Sequence, residues 1–437
     1  MDCGKREAMR PLKVGIAGLG TVGGGVMRLL RDNAELITAR AGRPIVVTAV
    51  SARNRSRDRG VALDGMHWHE TPMALAGDDA VDVVVELIGG SDGPAKALVE
   101  QALAAKKPVV TANKALLALH GAALAQAAAQ ANVTLAYEAA VAGGIPVIKA
   151  LREGLAGNRI DRVAGILNGT CNYILTTMRE EGRDFTEVLA DAQELGYAEA
   201  DPAFDIDGVD AAHKLAILAA LAFGQQVDFA AVHVEGIRRV SALDIKFAEE
   251  LGYRIKLLGI AHRTAEGVAM RVHPSMVPQQ SLLASVEGVY NAVLLESDFA
   301  GTVFLQGRGA GGGPTASAVV ADLIDIARGT HVPVWGTDCA RLETGAAVPI
   351  SHHTGAYFLR LMVVDQPGVL ADVTAILREH HISLASMLQH GRKPGEAVPI
   401  VLVTHDTHEA AVAAALARIA DLESVLEAPT LIRIEPK

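Results

Sequence analysis

The chain has 437 residues, 50% of them hydrophobic and 21% charged, which allows two or three domains with sizeable cores and excludes a disordered chain. A net charge of −10 with only 4% aromatic residues leaves neither the basic patch nor the stacking platforms of a nucleic-acid reader. Cys3, Cys171 and Cys339 are too scattered for a disulfide framework or a C-x-x-C metal site, and they fit a reducing, cytoplasmic compartment. The opening segment MDCGKREAMRPL has no apolar h-region, and no run of about 18 apolar residues occurs, so neither a signal peptide nor a membrane span is expected.

Leu12 to Ala17 reads as a strand, followed by the glycine turn GLGTVGGG and an amphipathic helix. RPIVVTAVSAR, VDVVVELIG, KKPVVTANK and NVTLAYEAAV read as four more strands, with alanine-rich helices such as PAKALVEQALAAK between them. That alternation predicts a parallel α/β sheet. From about residue 145 the character changes: IPVIKALREGL reads as a helix, RIDRVAGIL as a strand, and helices dominate to about residue 240. RIKLLGIAHR, VAMRVHPSMV and NAVLLESDFAGTVFLQG then alternate like antiparallel strands, and the cluster GRGAGGGPTAS leads into the helix SAVVADLIDIARG. Beyond a linker-like stretch, Thr337 to Gly355, the order is β-α-β-β-α-β, with two strands joined by the loop GRKPGE. This is the ferredoxin-like split pattern, and it reads as a unit able to fold alone.

GLGTVGGG places G-x-G-x-x-G at Gly18, Gly20 and Gly23, after a strand and at the opening of a helix. In that context the glycines let the backbone approach a pyrophosphate, whose charge the helix N-terminus favours. An NAD site usually has an acid at the end of the second strand; here the chain offers Arg53, Arg55 and Arg57, and no acid before Asp58. An arginine there suits a 2′-phosphate, so NADP is expected over NAD, although a solvated basic loop would look the same. Lys114 follows the fourth strand, at the carboxyl edge where α/β sheets bind ligands, or it is an ordinary surface lysine at a helix start.

The stretch EADPAFDIDGVDAAHKLAIL sets Glu199, Asp210 and Lys214 around the start of an apolar helix. Asp210 and Lys214 share a helix face, which is also the geometry of a plain i,i+4 ion pair. The apolar run LAILAALAF argues for a buried lysine stem, and Asp201, Asp205 and Asp207 form an acidic loop expected to fold back over the site. A buried lysine held by carboxylates can act as a tuned proton donor. The histidines show no metal-ligand spacing.

GLGTVGGG, TANKALL, YEAAVAGGIPVI, ILNGTCNYIL, GYAEADPAFDIDGVDAAHKLAIL and GAGGGPTASAV come in this order, and over roughly residues 10 to 345 they resemble homoserine dehydrogenase. The tail, with VVDQPGVLADVTAILREHHISL, resembles an ACT domain. No aspartokinase region precedes the first strand, so the likeness is to the monofunctional form. The resemblance implies an NAD(P)-dependent interconversion of L-homoserine and L-aspartate 4-semialdehyde, in a homodimer or homotetramer. The implied architecture is α/β: a Rossmann-type nucleotide-binding domain over 1–140, completed by about 312–345; an α+β substrate-binding and dimerisation domain over 141–311; and a ferredoxin-like ACT regulatory domain over 355–437.

Carried over by resemblance, Lys214 is the proton donor and acceptor, Lys114 a second site lysine, and Glu199 and Asp210 substrate ligands. Thr21 and Val22 would lie on the pyrophosphate side, with Gly196 and Gly311 on the nicotinamide side. A sodium or potassium ion is implied on main-chain oxygens near Glu138, Val141, Gly143 and Ile145. Threonine is the expected ACT effector, with Asp365 and Gly368 receiving it and Ile382 on the opposite wall. Other ACT-bearing dehydrogenases, of the phosphoglycerate or prephenate kind, do not explain the Glu199, Asp210 and Lys214 set or NGTCNYIL. A catalytically dead amino-acid sensor predicts a replaced Lys214 or a broken glycine turn, and neither is present.

Overall fold

The computed structural model describes residues 10–391 and 394–436; Cys3, the segment before Arg10, and Arg392 and Lys393 of the GRKPGE loop lie outside the described residues. The first sheet comprises β1 (Leu12–Ala17), β2 (Ile45–Ser51), β3 (His67–His69), β4 (Val83–Glu86), β5 (Val109–Thr111) and β6 (Leu135–Ala136). All its pairings are parallel, in the order β3-β2-β1-β4-β5-β6. This is the doubly wound order, with its ligand crevice at the carboxyl ends of the strands where the order reverses. The buried runs Val14, Ile16 and Val83 to Val85 explain why these strands need no alternation, since both faces are covered. β3 adds a sixth strand to the five expected; MHWHE carries no apolar run that would mark it.

Helix Thr21–Asp32 packs on helix Gly312–Arg328, which shares the core of this sheet through Val319 and Leu323. The approach is close at Gly25, where a Cβ would lie 2.4 Å from the Gly312 carbonyl oxygen. Gly25→Val should therefore push the two helices apart and cost about 1–3 kcal/mol, the usual penalty of overpacking, read as a lower urea unfolding midpoint.

The second sheet is assembled from β7 (Ile160–Ile166), β8 (His233–Val234), β9 (Tyr253–Arg263), β10 (Val268–Pro278), β11 (Tyr290–Ser297), β12 (Gly301–Arg308), β13 (Thr354–Val364), β14 (Leu384–Gln389), β15 (Ala397–Thr404), β16 (Thr407–His408) and β17 (Thr430–Ile434). Its order is β12-β11-β7-β9-β10-β17-β13-β15-β14, with β8 on β10 and β16 on β13. The strands from β13 onward, with helices Val369–Glu379 and Glu409–Ala420, make the split β-α-β-β-α-β unit. It is not set apart from the rest: β17 pairs in parallel with β10 through Ser275–Arg433 and Met276–Ile434, so one sheet runs through both regions. Tyr357, Leu359 and Leu361 face the two helices, while Phe358 on the other face joins the central core. The linker is also tied down, by bridges at Gln225–Glu343 and Val268–Ala347.

Helix Val209–Phe223 is the buried axis of the central region, lying against β7, β9, β10 and helix Lys114–Ala131. It carries the apolar run LAILAALAF and opens with Asp210 and Lys214. Among the described residues, no helix is long and apolar enough to cross a membrane.

Candidate active site

The glycine turn sits at the end of β1. Gly18 takes φ +97°, and a Cβ there would meet the Leu87 carbonyl at 2.4 Å, so the turn lies directly against the chain leaving β4. A Cβ on Gly23 would lie 2.1 Å from the Gly18 carbonyl, whereas Gly20 faces open space with no atom within 4 Å. Thr21 and Val22 begin the helix, whose unpaired N–H groups and dipole suit a pyrophosphate. Buried Glu86 at the end of β4 accepts from the N–H groups of Ile88 (2.7 Å) and Gly89 (3.0 Å) and from the Thr111 hydroxyl (2.6 Å). Asn113 donates to the Gly90 carbonyl at 2.6 Å and caps helix Lys114–Ala131. The glycine turn, the 87–90 loop and Lys114 thus form one row along the carboxyl ends of β1, β4 and β5.

That row meets the buried helix at Asp210. Lys114 Nζ lies 2.8 Å from Asp210 Oδ1, and Lys214 Nζ lies 2.8 Å from Asp210 Oδ2. Lys214 also donates to the Leu167 carbonyl at 2.8 Å, and Asn168 Nδ2 donates to Asp210 Oδ2 and Asp205 Oδ1, each at 2.8 Å. Burial would raise the Asp210 carboxyl, but Lys214 and Lys114 outweigh it and hold it far below its usual range. Burial lowers Lys214, and the Lys114 charge adds to this against the pull of Asp210. Burial also works against Lys114, yet Asp210, Asp205 and Glu199 together raise it. The two lysines are therefore distinct: Lys114 is firmly charged, and Lys214 is the one eased toward losing a proton.

Glu199 and Gly196 are both exposed, on the connection between helix Phe185–Glu194 and the acidic loop; Glu199 reaches the site through its field on Lys114. Asp205 folds inward, while Asp207 pairs with Arg238 and Asp201 caps Ala203. Gly311 caps helix Gly312–Arg328 at φ +113°, next to the Gly312 that abuts Thr21, which puts it beside the start of the cofactor helix. Arg53 is exposed at the end of β2.

In the YEAAVAGGI segment Ala142 (φ +54°) and Gly143 (φ +49°) make a tight left-handed turn against Gly309. The Glu138 carboxylate already accepts from the N–H groups of Ile148 and Lys149, each at 2.9 Å, and the Ile145 carbonyl accepts from Val147 at 2.8 Å. The Val141 and Gly143 carbonyls of this turn are among the main-chain oxygens that the family resemblance assigns to a monovalent cation. Burial and Asp322 push the Glu138 carboxyl up to about 7.

The three residues expected to take an effector are not adjacent within one chain. Gly368 (φ +101°) caps the start of helix Val369–Glu379, and Asp365 lies just before it with its N–H on the Glu396 carbonyl. Ile382 packs at the other end, its N–H on the Leu377 carbonyl, in a cavity of about 400 Å³ shared with Thr374 and Arg378.

Sequence reasoning missed three residues of the site. Asn168 joins Asp205 to Asp210, and its signal was the N-cap pattern of LNGTC. Phe204 lies under Lys114, whose Nζ is 5.5 Å from the ring centroid, and packs at a tilt against His213. Arg59 donates to the Leu19 carbonyl at 3.3 Å and so ties the arginine-rich loop to the glycine turn.

A Rossmann sheet with an open glycine cradle, abutting a lysine–aspartate–lysine chain in which Asp210 and Lys214 are buried, defines a nicotinamide-nucleotide-dependent oxidoreductase. Sequence profiles agree: one for the homoserine dehydrogenase NAD-binding domain matches residues 18–138, one for homoserine dehydrogenase matches 146–324, and one for the ACT domain matches 357–424. The homoserine dehydrogenase of Neisseria gonorrhoeae is 47% identical over 433 residues, covering 98% of this chain and 99% of that protein. The crystal structure of the Thiobacillus denitrificans homoserine dehydrogenase superposes with a TM-score of 0.93 at 49% identity, covering 98% of this chain and 99% of that one. A hyperthermophilic archaeal homoserine dehydrogenase in complex with NADPH gives 0.63 at 26% identity, covering 72% of this chain and 97% of that one. The chain belongs to the homoserine dehydrogenase family.

Proposed function

We propose that this enzyme reduces L-aspartate 4-semialdehyde to L-homoserine in the cytoplasm with Lys214 as the proton donor, prefers NADP, and is restrained by threonine through its ACT domain. The observation that carries the catalytic reading is the Asp210 bridge. It holds Lys214 Nζ with two N–H bonds spent, on Asp210 and on the Leu167 carbonyl, and a third left for a substrate oxygen. When bound, the nicotinamide supplies the hydride. Lys214 donates its proton to the oxygen of the aldehyde as that oxygen gains charge, and it takes a proton back in the reverse direction. Lys114 remains charged and orients the substrate, with the exposed Glu199 meeting the ammonium. Asp210 has both oxygens within ion-pair distance of lysines, so it sets the two lysines where it is also expected to meet the substrate. The main-chain oxygens of the turn at 138–145 would hold a monovalent cation. A spectrophotometric assay of NADPH oxidation with L-aspartate 4-semialdehyde tests the reaction; no turnover with that substrate would overturn it.

Cofactor preference rests on Arg53 and on the loop behind it. Arg55 and Arg59 lie over the Trp68 ring, at 5.7 and 5.9 Å from its centroid, and carry positive charge beside the end of β2. Arg53→Ala should lower the NADPH-over-NADH ratio of kcat/KM by about 10- to 100-fold, the worth of a charge-assisted hydrogen bond. An unchanged ratio would remove Arg53 from the role.

For threonine, the separation of Ile382 from Asp365 and Gly368 means that a pocket using all three needs a second copy of the chain, with β14 as the open edge of the sheet. A homodimer or a dimer of dimers, the assembly that the family resemblance implies, would supply that second copy. Asp365→Ala should move the threonine inhibition curve to at least about 10-fold higher concentration, since threonine acts only by its differential affinity for the two states. Wild-type enzyme indifferent to millimolar threonine would make the tail an assembly element instead.

A further inference from the structure

We propose that His67, His69 and Asp78, a group that sequence spacing alone did not mark, form a surface site for a divalent transition-metal ion at the edge of the nucleotide-binding sheet. β3 is the edge strand, and alternation along it puts His67 and His69 on one face with Trp68 on the other. Asp78 follows the short helix Ala74–Gly77 and is fixed from two sides: its Oδ1 accepts from the Ala80 N–H at 2.7 Å, and its carbonyl accepts from Lys107 Nζ at 2.6 Å. The other oxygen, Oδ2, faces His67 Nδ1 at 3.0 Å and His69 Nε2 at 2.8 Å.

The three ligand atoms lie within 4.8 Å of one another, a span that one ion at about 2.0–2.2 Å from each would bridge with small side-chain rotations. Two imidazoles and one carboxylate select zinc, nickel, copper or cobalt rather than magnesium or calcium, which want oxygen ligands. The His67 side chain is 61% exposed, so solvent completes the coordination sphere.

The site is built into the cofactor domain. Trp68, between the two histidines, carries Arg55 and Arg59, and Arg59 reaches the glycine turn through Leu19. An ion on the outer face of β3 would pin the strand that supports this arginine loop.

Untagged full-length protein freed of metal should be titrated with ZnCl2 and NiCl2 by calorimetry, beside His67→Ala, His69→Ala and the double variant. Wild type should bind one equivalent more than the double variant, and each single variant should bind that equivalent at least about 10-fold more weakly. Nickel should also quench the indole emission of Trp68 at the same stoichiometry in wild type and not in the double variant. Equal stoichiometry and affinity in all four proteins, or no binding at millimolar metal, would overturn the proposal and leave Asp78 a shared hydrogen-bond acceptor for two imidazoles.

Discussion

Lys214→Ala is expected to lower kcat for semialdehyde reduction by about 10²- to 10⁴-fold, the usual contribution of a positioned acid or base, while NADPH binding and the fold persist. The fold should persist because Asp210, buried and charged, keeps two partners: Lys114 on one oxygen and Asn168 on the other. Removing Lys214 therefore leaves no stranded carboxylate, and the loss reads on chemistry. Lys114→Ala should behave differently. Lys114 is raised rather than lowered, so it is a poor proton donor and a good fixed charge; its loss should increase KM for the semialdehyde more than it reduces kcat. The measurement is steady-state kinetics in both directions, with cofactor affinity followed separately by NADPH fluorescence. A Lys214→Ala enzyme with near-normal kcat would transfer the proton to another group and undo the assignment.

The parts of this arrangement that were legible in the sequence are the ones that local physics writes down. Leu12 to Ala17 followed by GLGTVGG is a strand, a turn that needs glycine and a helix, and each step leaves a residue pattern. The Asp210–Lys214 pair was legible as two residues one helical turn apart. Lys114 was expected in the site by resemblance, but its contact with Asp210 was not legible, because the two meet only when the carboxyl end of β5 is brought against the start of the buried helix. β3 escaped because three residues, two of them histidine, give no hydrophobic period. The junction of β17 with β10 escaped for another reason. It rests on two parallel residue pairs in the middle of the sheet, and both strands satisfy the same apolar pattern with or without each other. What ties them together is charge: Arg433 lies between Glu235 from the central region and Glu409 from the tail, and its sequence context is an ordinary strand end.

Arg433→Met is accordingly expected to destabilise the attachment of the ACT unit by about 3 kcal/mol, near the low end of what breaking a buried ion pair costs. Arg433 is 2% exposed and donates to both oxygens of Glu235, at 3.0 and 2.8 Å, and also to both oxygens of Glu409. Methionine keeps much of the volume, so the loss is mainly that of a partner for two carboxylates. Glu409 is buried and retains only the Tyr357 hydroxyl at 3.0 Å; Glu235 is 39% exposed and can rehydrate, which holds the figure down. The pH dependence separates this cause from simple loss of packing. Burial would raise the Glu235 carboxyl, but His233 and Arg433 outweigh it and keep it well below its ordinary value. A carboxyl lowered in the folded state contributes stability that is present above its unfolded pKa and is lost as pH falls toward the folded one. The wild-type advantage over Arg433→Met should thus be full at pH 7 and shrink below about pH 4.5, where protonated carboxyls no longer need a cation. Urea titrations of both proteins across that range would show it. A chain cut near Gly355 is a poorer probe of the ACT unit, because it would bare the β10 edge and take the arginine partners from Glu235 and from buried Asp244, the latter held by Arg360 at 2.6 Å. A deficit in Arg433→Met that stays constant from pH 7 to pH 4 would mean that the arginine holds the junction by packing, and that the two glutamates contribute nothing to it.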